Sequence, residues 1–267
     1  MARKKYTAAS DPWELYEQSV QEPEADCDML EQFWKELRGR SPRSIREDFC
    51  GTAVNSVEWV KRHARNTAIG VDIAPDVLAR ARQRIQKLLS PKDSQRIALM
   101  EADVMTVVTK PVDSVLATNF SYFIFKTRDK LRQYFKSAYG ALVDDGLFVV
   151  DVYGGSDAFL EMKEPRKVLD FTYVWEQEHY NPVTGDVINH IHFKFKDSTK
   201  ILKAFTYEWR LWTLPELHEL LAEAGFKNVT CYWEGTDEET DEGNGEFTPT
   251  RTGEACQGWV AYLVAER

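Results

Sequence analysis

Two acids stand where a β-prone run hands over to a loop: Glu47 and Asp48 in "SIREDFCGTAV". Carboxylates at such a point favour a cation beside them. After Glu47 comes a turn, Phe49-Cys50-Gly51-Thr52-Ala53, with one glycine. A dinucleotide asks for the denser GxGxxG pattern, so that its pyrophosphate can rest on backbone N–H groups. Glu47 and Asp48, immediately before the turn, would repel that group. The turn suits a cationic ligand whose own carboxylate meets the N–H groups at a helix start.

The elements that must position these acids follow from hydrophobic periodicity. Residues 44–47, 67–72 and 97–101 are β-like, with helical patterns at 53–65 and 75–89 between them. A fourth strand at 112–118, a helix at 129–142 and a fifth strand in "GLFVVDVY" continue the alternation. Buried parallel strands read as near-continuous apolar runs, as "SVLAT" and "LFVV" do, and the fold class is α/β. Before this core, Asp11-Pro12 starts one helix through Trp13, Tyr16 and Val20. A second carries Leu30, Phe33, Trp34 and Leu37 and stops at Gly39. After Gly154-Gly155 the period becomes two in "VLDFTYVWEQEHY", "VINHIHFKFK" and "ILKAFTYEWRLW", which predicts an antiparallel insert. Thr213-Leu214-Pro215-Glu216 is a capping box opening a helix that Gly225 ends, and "KNVTCYW" and "GWVAYLVAE" are the last strands.

With "IREDFCGTA", Asp72, Asp103 and "ATNFSYF" in this order, the chain resembles the class I S-adenosylmethionine-dependent methyltransferases of the small-molecule type. The resemblance implies a seven-stranded, doubly wound, Rossmann-like sheet, divided here as follows: an N-terminal helical lid at 1–40, the cofactor-binding core at 41–155, an antiparallel β insert at 156–212 and the rest of the core sheet at 213–267. It implies S-adenosylmethionine as cofactor, held at the turn by Glu47, Phe49, Cys50, Gly51 and Thr52. Asp72 with Ile73 would meet the ribose, Asp103 with Val104 the adenine, and Asn119 with Phe120 the methionine moiety. Tyr16 and Gln18 stand where a lid closes. Phe49 and Ala53 occupy the positions of the family's first and third glycines, so the turn is expected to avoid positive φ at both, with Phe49 packing beside the cofactor. The implied reaction is in-line methyl transfer, in which alignment does most of the work and a base is needed only if the acceptor keeps a proton. No catalytic residue is assigned; Tyr122, Asp151 and Tyr153, at the ends of strands four and five, are the polar candidates.

Composition narrows the partners. A net charge of −9 over 267 residues argues against a polyanion binder, hence no nucleic acid and a small-molecule acceptor. No apolar run is long enough for a membrane span, and four widely spaced cysteines without a leader fit a reduced, cytoplasmic chain. The aromatics of the insert, with Tyr173, Trp175, His190 and Trp209, would serve either an acceptor pocket or a homodimer interface. Cys50 reads as a small filler rather than a nucleophile. His190 and His192 share a strand face with Lys194 and Lys196, which points them to solvent and away from a metal role. Arg80, Arg84 and Lys87 form a solvated helix face, and the acidic "TDEETDEGNGEF" a solvated loop. A silent adenosylmethionine-binding module and an RNA or protein methyltransferase are the alternatives, with a nicotinamide oxidoreductase more distant.

Overall fold

Local signals set the helix ends. Asp11 accepts from the Trp13 N–H and caps α1 (Pro12–Val20), and Gly39 in the left-handed region closes α2 (Pro23–Arg38). The computed structural model describes residues 5–237, 239 and 243–267. The core then runs β1 (Ser44–Asp48), α3 (Val54–Arg62), β2 (Thr67–Asp72), α4 (Pro75–Leu88), α5 (Pro91–Ser94), β3 (Ile97–Glu101), β4 (Val112–Ala117), α6 (Arg128–Gly140) and β5 (Leu142–Gly154). Next come β6 (Met162–Val168), β7 (Phe171–Tyr180), β8 (Asp186–Phe195) and β9 (Lys200–Arg210). The chain closes with α7 (Leu214–Ala224), β10 (Asn228–Thr236), β11 (Gly243–Thr250) and β12 (Trp259–Glu266). Thr213 and Glu216 form the reciprocal capping box of α7.

The main sheet has the order β3-β2-β1-β4-β5-β12-β10-β11. β1 to β5 are parallel, and β12, β10 and β11 join antiparallel. Strand order reverses between β1 and β4, so their carboxyl ends frame the crevice where such sheets bind ligands. The sheet has eight strands, not seven. The additional one, β11, comes from the acidic stretch expected to be a loop; its polar "GNGEFTPT" hides a strand that β10 holds in register from Cys231↔Thr250 to Glu234↔Phe247. Residues 238 and 240–242 of that stretch lie outside the described residues.

One face of this sheet is covered by α2 and α3, the other by α6 and α7. Phe33 and Trp34 are fully buried, and the Trp34 indole donates to Ser114 Oγ at 2.6 Å. α2 is therefore part of the core, and of the helical preface only α1 lies over the crevice. Leu15 of α1 packs with Phe171, Tyr173 and Phe193 of the second sheet. On its other side α1 pairs with α4, Asp11 with Arg80 and Glu17 with Arg84. The two arginines expected on a solvated face thus bind α1 and its cap.

The second sheet, β6-β7-β8-β9, is antiparallel throughout. Its first strand carries no apolar alternation, because Lys163 to Lys167 is an exposed edge with Pro165 inside it. β8 is covered on both faces, so His190 and His192 are buried rather than solvent-facing. Their ring nitrogens lie 2.7 Å from Glu178 and Glu176, whose side chains close over them from β7.

Candidate active site

The turn after β1 is wound more tightly than its sequence suggests. Phe49, Gly51 and Ala53 all take positive φ, at 55°, 53° and 58°. The expectation that Phe49 and Ala53 avoid this region is overturned. Tertiary packing supplies the reason: the Phe49 ring is wedged against Phe125 and Tyr134, with centroids 6.1 and 5.6 Å away, and Ala53 is fully buried with its N–H on the Cys50 carbonyl at 2.7 Å. Such non-glycine positions store about 1–3 kcal/mol each and persist only where surrounding structure holds them. Phe49 accordingly turns its ring into the core and offers the site its backbone. Cys50 is buried, its thiol pKa pushed far up by burial, and it fills the space beside Gly70, where an added Cβ would sit 2.9 Å from its Sγ. Above Gly51 nothing lies within 4 Å of an added Cβ.

The β1 acids are used differently from expectation. Asp48 is clamped bidentately by Arg46 at 2.6 and 2.9 Å and accepts from Tyr134 at 3.0 Å, all within the core. Its charge is cancelled there. Glu47 is buried on the opposite face and accepts both the backbone N–H and the hydroxyl of Ser56, tying down the first turn of α3. Burial pushes its pKa up to about 7, against the lowering effect of the Ser56 donors. A carboxyl with a raised folded-state pKa contributes fully below its unfolded value of 4.5, and that contribution is lost as pH rises through 7. Between these limits the loss is on the order of 3–4 kcal/mol. Melting temperature against pH should therefore be flatter for Glu47→Gln than for the native chain over this window; parallel profiles would contradict the buried placement.

Asp72 ends β2 beside the turn. Its Oδ2 accepts from the Gly51 N–H and its Oδ1 from the Ala74 N–H, both at 2.9 Å. The acid is thus aimed by the loop it serves. Ile73 next to it is 70% exposed, an apolar surface at the crevice rim. Asp103 is exposed after β3, its carboxylate held by the Met105 N–H at 2.8 Å, while Val104 is buried in the core and accepts from Ser137 through its carbonyl. Thr52 donates to Glu17 of α1 at 2.6 Å, so α1 is fastened to the turn itself. Gln18 is exposed on the outside of that helix, whereas Tyr16 packs on Phe205 and hydrogen-bonds Tyr207. In the folded protein, Asp72→Ala should weaken S-adenosylhomocysteine binding by about 1.5–3 kcal/mol, the worth of charge-assisted hydrogen bonds. Titration calorimetry measures it, and an unchanged Kd would remove Asp72 from the site.

At the end of β4, Asn119 and Phe120 also take positive φ, at 58° and 56°. Asp151 on β5 holds them there, accepting their N–H groups at 2.6 and 2.9 Å. Burial raises Asp151 to about 7. Tyr122 is fully buried and donates to the Asp151 carbonyl at 2.8 Å. Of the three polar candidates, two therefore shape this second turn, and Tyr153 alone faces open space. That space is a cavity of about 980 Å³ between the carboxyl edge of the main sheet and the inner face of the second. Asn119, Phe120 and Tyr153 form its floor, and Tyr16 of the lid, Tyr173, Trp175, Tyr207 and Trp209 its aromatic wall. His190, on the opposite face of β8 from the wall residue Ile191, does not reach it. The acids on the lining are Asp157, Glu164, Glu234 and Glu254, and no Lys, Arg or His lines it among the described residues. Glu164 is exposed by surface area, its pKa raised by the burial it has and then by Asp157. Burial raises the Tyr153 phenol, against a hydrogen bond with Asn189, and Glu164 adds to the rise. The Tyr153 ring lines the cavity, while its hydroxyl is buried beside Asn189.

Four positions that shape the turn or lie at the cavity were hidden in the sequence. Glu17 shows only as one more acid on an amphipathic helix, Arg46 as an interruption of a strand, and Glu164 sits on the polar edge strand. Asn189 is masked by its place in the β8 alternation.

A doubly wound sheet with its crevice at the β1/β4 reversal, a glycine turn that aims Asp72 and a helix, α1, fastened to that turn make the architecture of the class I S-adenosylmethionine-dependent methyltransferases. Residues 48–146 match the family described as "Methyltransferase domain", and the chain is an enzyme of that class. A Bacillus subtilis (strain 168) protein named as a methyltransferase, YqeM, is 22% identical over 183 residues, 67% of this chain and 71% of that one. Among solved structures, an S-adenosylmethionine-dependent methyltransferase from Clostridium acetobutylicum ATCC 824 superposes with TM-score 0.67 at 14% identity, covering 94% of this chain and 96% of that one. CalS10 from Micromonospora echinaspora, an amino pentose methyltransferase solved with S-adenosylmethionine bound, gives TM-score 0.67 at 15% identity, with 99% and 100% covered. The sugar N-methyltransferase KedS8 from Streptoalloteichus sp ATCC 53650 gives 0.63 at 17%, with 100% and 98% covered. Among the described residues no helix is long and apolar enough to cross a membrane.

Proposed function

We propose that the enzyme methylates an amine nitrogen of a small molecule held in the cavity between the two sheets. One observation carries this reading: the cavity is lined by aromatic rings and four carboxylates, with no cationic side chain on its wall among the described residues. Aromatic faces and carboxylates attract an ammonium group, and an anionic acceptor would find no partner there. The names of two structurally similar enzymes, an amino pentose methyltransferase and a sugar N-methyltransferase, agree with it.

The residues present suit the cofactor. The space open above Gly51 would admit part of the cofactor, with Asp72 at the ribose hydroxyls, Ile73 at the flat face of the adenine and Asp103 at its amino group. Bound there, S-adenosylmethionine supplies a methyl group on a sulfonium sulfur, already activated for displacement. An amine enters as its ammonium form and must lose a proton before its lone pair can attack. Glu164, on the exposed edge strand that lines the cavity, is the carboxylate assigned to take that proton.

The test supplies methyl-radiolabelled S-adenosylmethionine to the enzyme with a metabolite extract and resolves the products by cation-exchange chromatography from the donor, itself a cation, against a control without enzyme. Label should be retained with small cationic molecules. Label found only in neutral compounds or in macromolecules would contradict the proposal.

A further inference from the structure

The cavity does not end at the aromatic wall. It runs along the main sheet to the strands after the insert, where Trp233 of β10 and Trp259 of β12 line it with ring centroids 4.9 Å apart and planes inclined by 34°. Both rings are seated by glycines. A Cβ at Gly154 would lie 2.1 Å from the Trp259 ring, and one at Gly253 would lie 2.7 Å from that of Trp233. Glu234 and Glu254 flank the pair on the lining, Glu234 held by the Gly245 N–H at 3.1 Å. This wall depends on the eighth strand, since β11 pairs with β10 and its Gly243 also lines the cavity.

Resting on the reading of this cavity as the acceptor site, we infer that Trp233, Trp259, Glu234 and Glu254 form a second subsite for a second, amine-bearing ring of the acceptor. A volume of about 980 Å³ is the argument from size, at the upper end of what a small ligand fills. The indole faces stack on a ring, and the flanking carboxylates select one that carries a cation. The same lining disfavours an acceptor bearing a phosphate or diphosphate, which would meet carboxylates on every side.

The experiment measures binding to the full chain saturated with S-adenosylhomocysteine, by titration calorimetry. The probes are glucosamine, its (1→4)-linked dimer, which carries one amine per ring, and a nucleoside diphosphate amino sugar. The dimer should bind about tenfold or more tighter than glucosamine, the size of one stacking and cation–π contact. Trp233→Ala and Trp259→Ala should each remove most of that advantage while leaving the glucosamine and S-adenosylhomocysteine affinities in place. Glu254→Gln, on an exposed loop where folding is not at stake, should reduce it too. Equal affinity for one and two rings, binding of neither, an advantage that survives all three substitutions, or tightest binding of the nucleotide sugar would each overturn the inference. A retained preference for the dimer with no methyl transfer to any amine would instead count against the proposed reaction and leave the subsite standing.

Discussion

Replacing Arg46 with methionine is expected to cost the fold about 3–5 kcal/mol, the penalty for leaving a buried carboxylate without its cation. Arg46 and Asp48 are both fully inaccessible at the side chain, and their bidentate contact is closed in the core behind the cofactor turn. Burial raises the Asp48 pKa, with Arg46 as the largest opposing influence, so removing the guanidinium leaves the acid to protonate or to unfold the strand end. The double change Arg46→Met with Asp48→Leu should recover most of the loss, because replacing a buried pair with apolar groups of similar volume is often neutral. Urea denaturation of the two variants decides the matter. If Arg46→Met unfolds like the native chain, the pair is not the support of the turn that its geometry indicates.

The second large effect concerns Glu164. As the base that accepts the ammonium proton, its loss in Glu164→Gln should lower kcat/KM for an amine acceptor by about a hundredfold, within the usual range for a positioned general base. Glutamine keeps the shape and the hydrogen-bonding reach, so Kd for S-adenosylhomocysteine should not move. The pH profile separates a base from a mere contact. The carboxylate is the active form, so native kcat/KM should rise with pH through the raised pKa of Glu164. In the glutamine variant that acid limb should disappear; if it persists, another group, with Tyr153 or Asp157 the nearest on the wall, carries the proton.

These residues differ in how far they could be read ahead. Asp72 was legible because β2 is a short apolar run that ends at it and Pro75 starts the next helix, and both signals are local. The parallel strands were legible for the same reason. Phe49 and Ala53 were not, since their positive φ is imposed by packing around the turn rather than by preference of the residues. β6 and β11 escaped because an edge strand built of charged residues or glycines has no buried face to mark its period. His190 and His192 looked exposed for want of a partner in sequence, and Glu176 and Glu178 cover them only once β7 and β8 pair. The acceptor cavity needed three segments far apart in the chain, which no single stretch displays.

The nitrogen at the centre of this account can be seen directly. With 13C-methyl S-adenosylmethionine as donor and a cationic acceptor recovered from the extract, carbon NMR of the purified product reports the atom that received the methyl. An N-methyl resonance that moves as the amine is titrated is the predicted result; an O-methyl or C-methyl resonance indifferent to pH would contradict it.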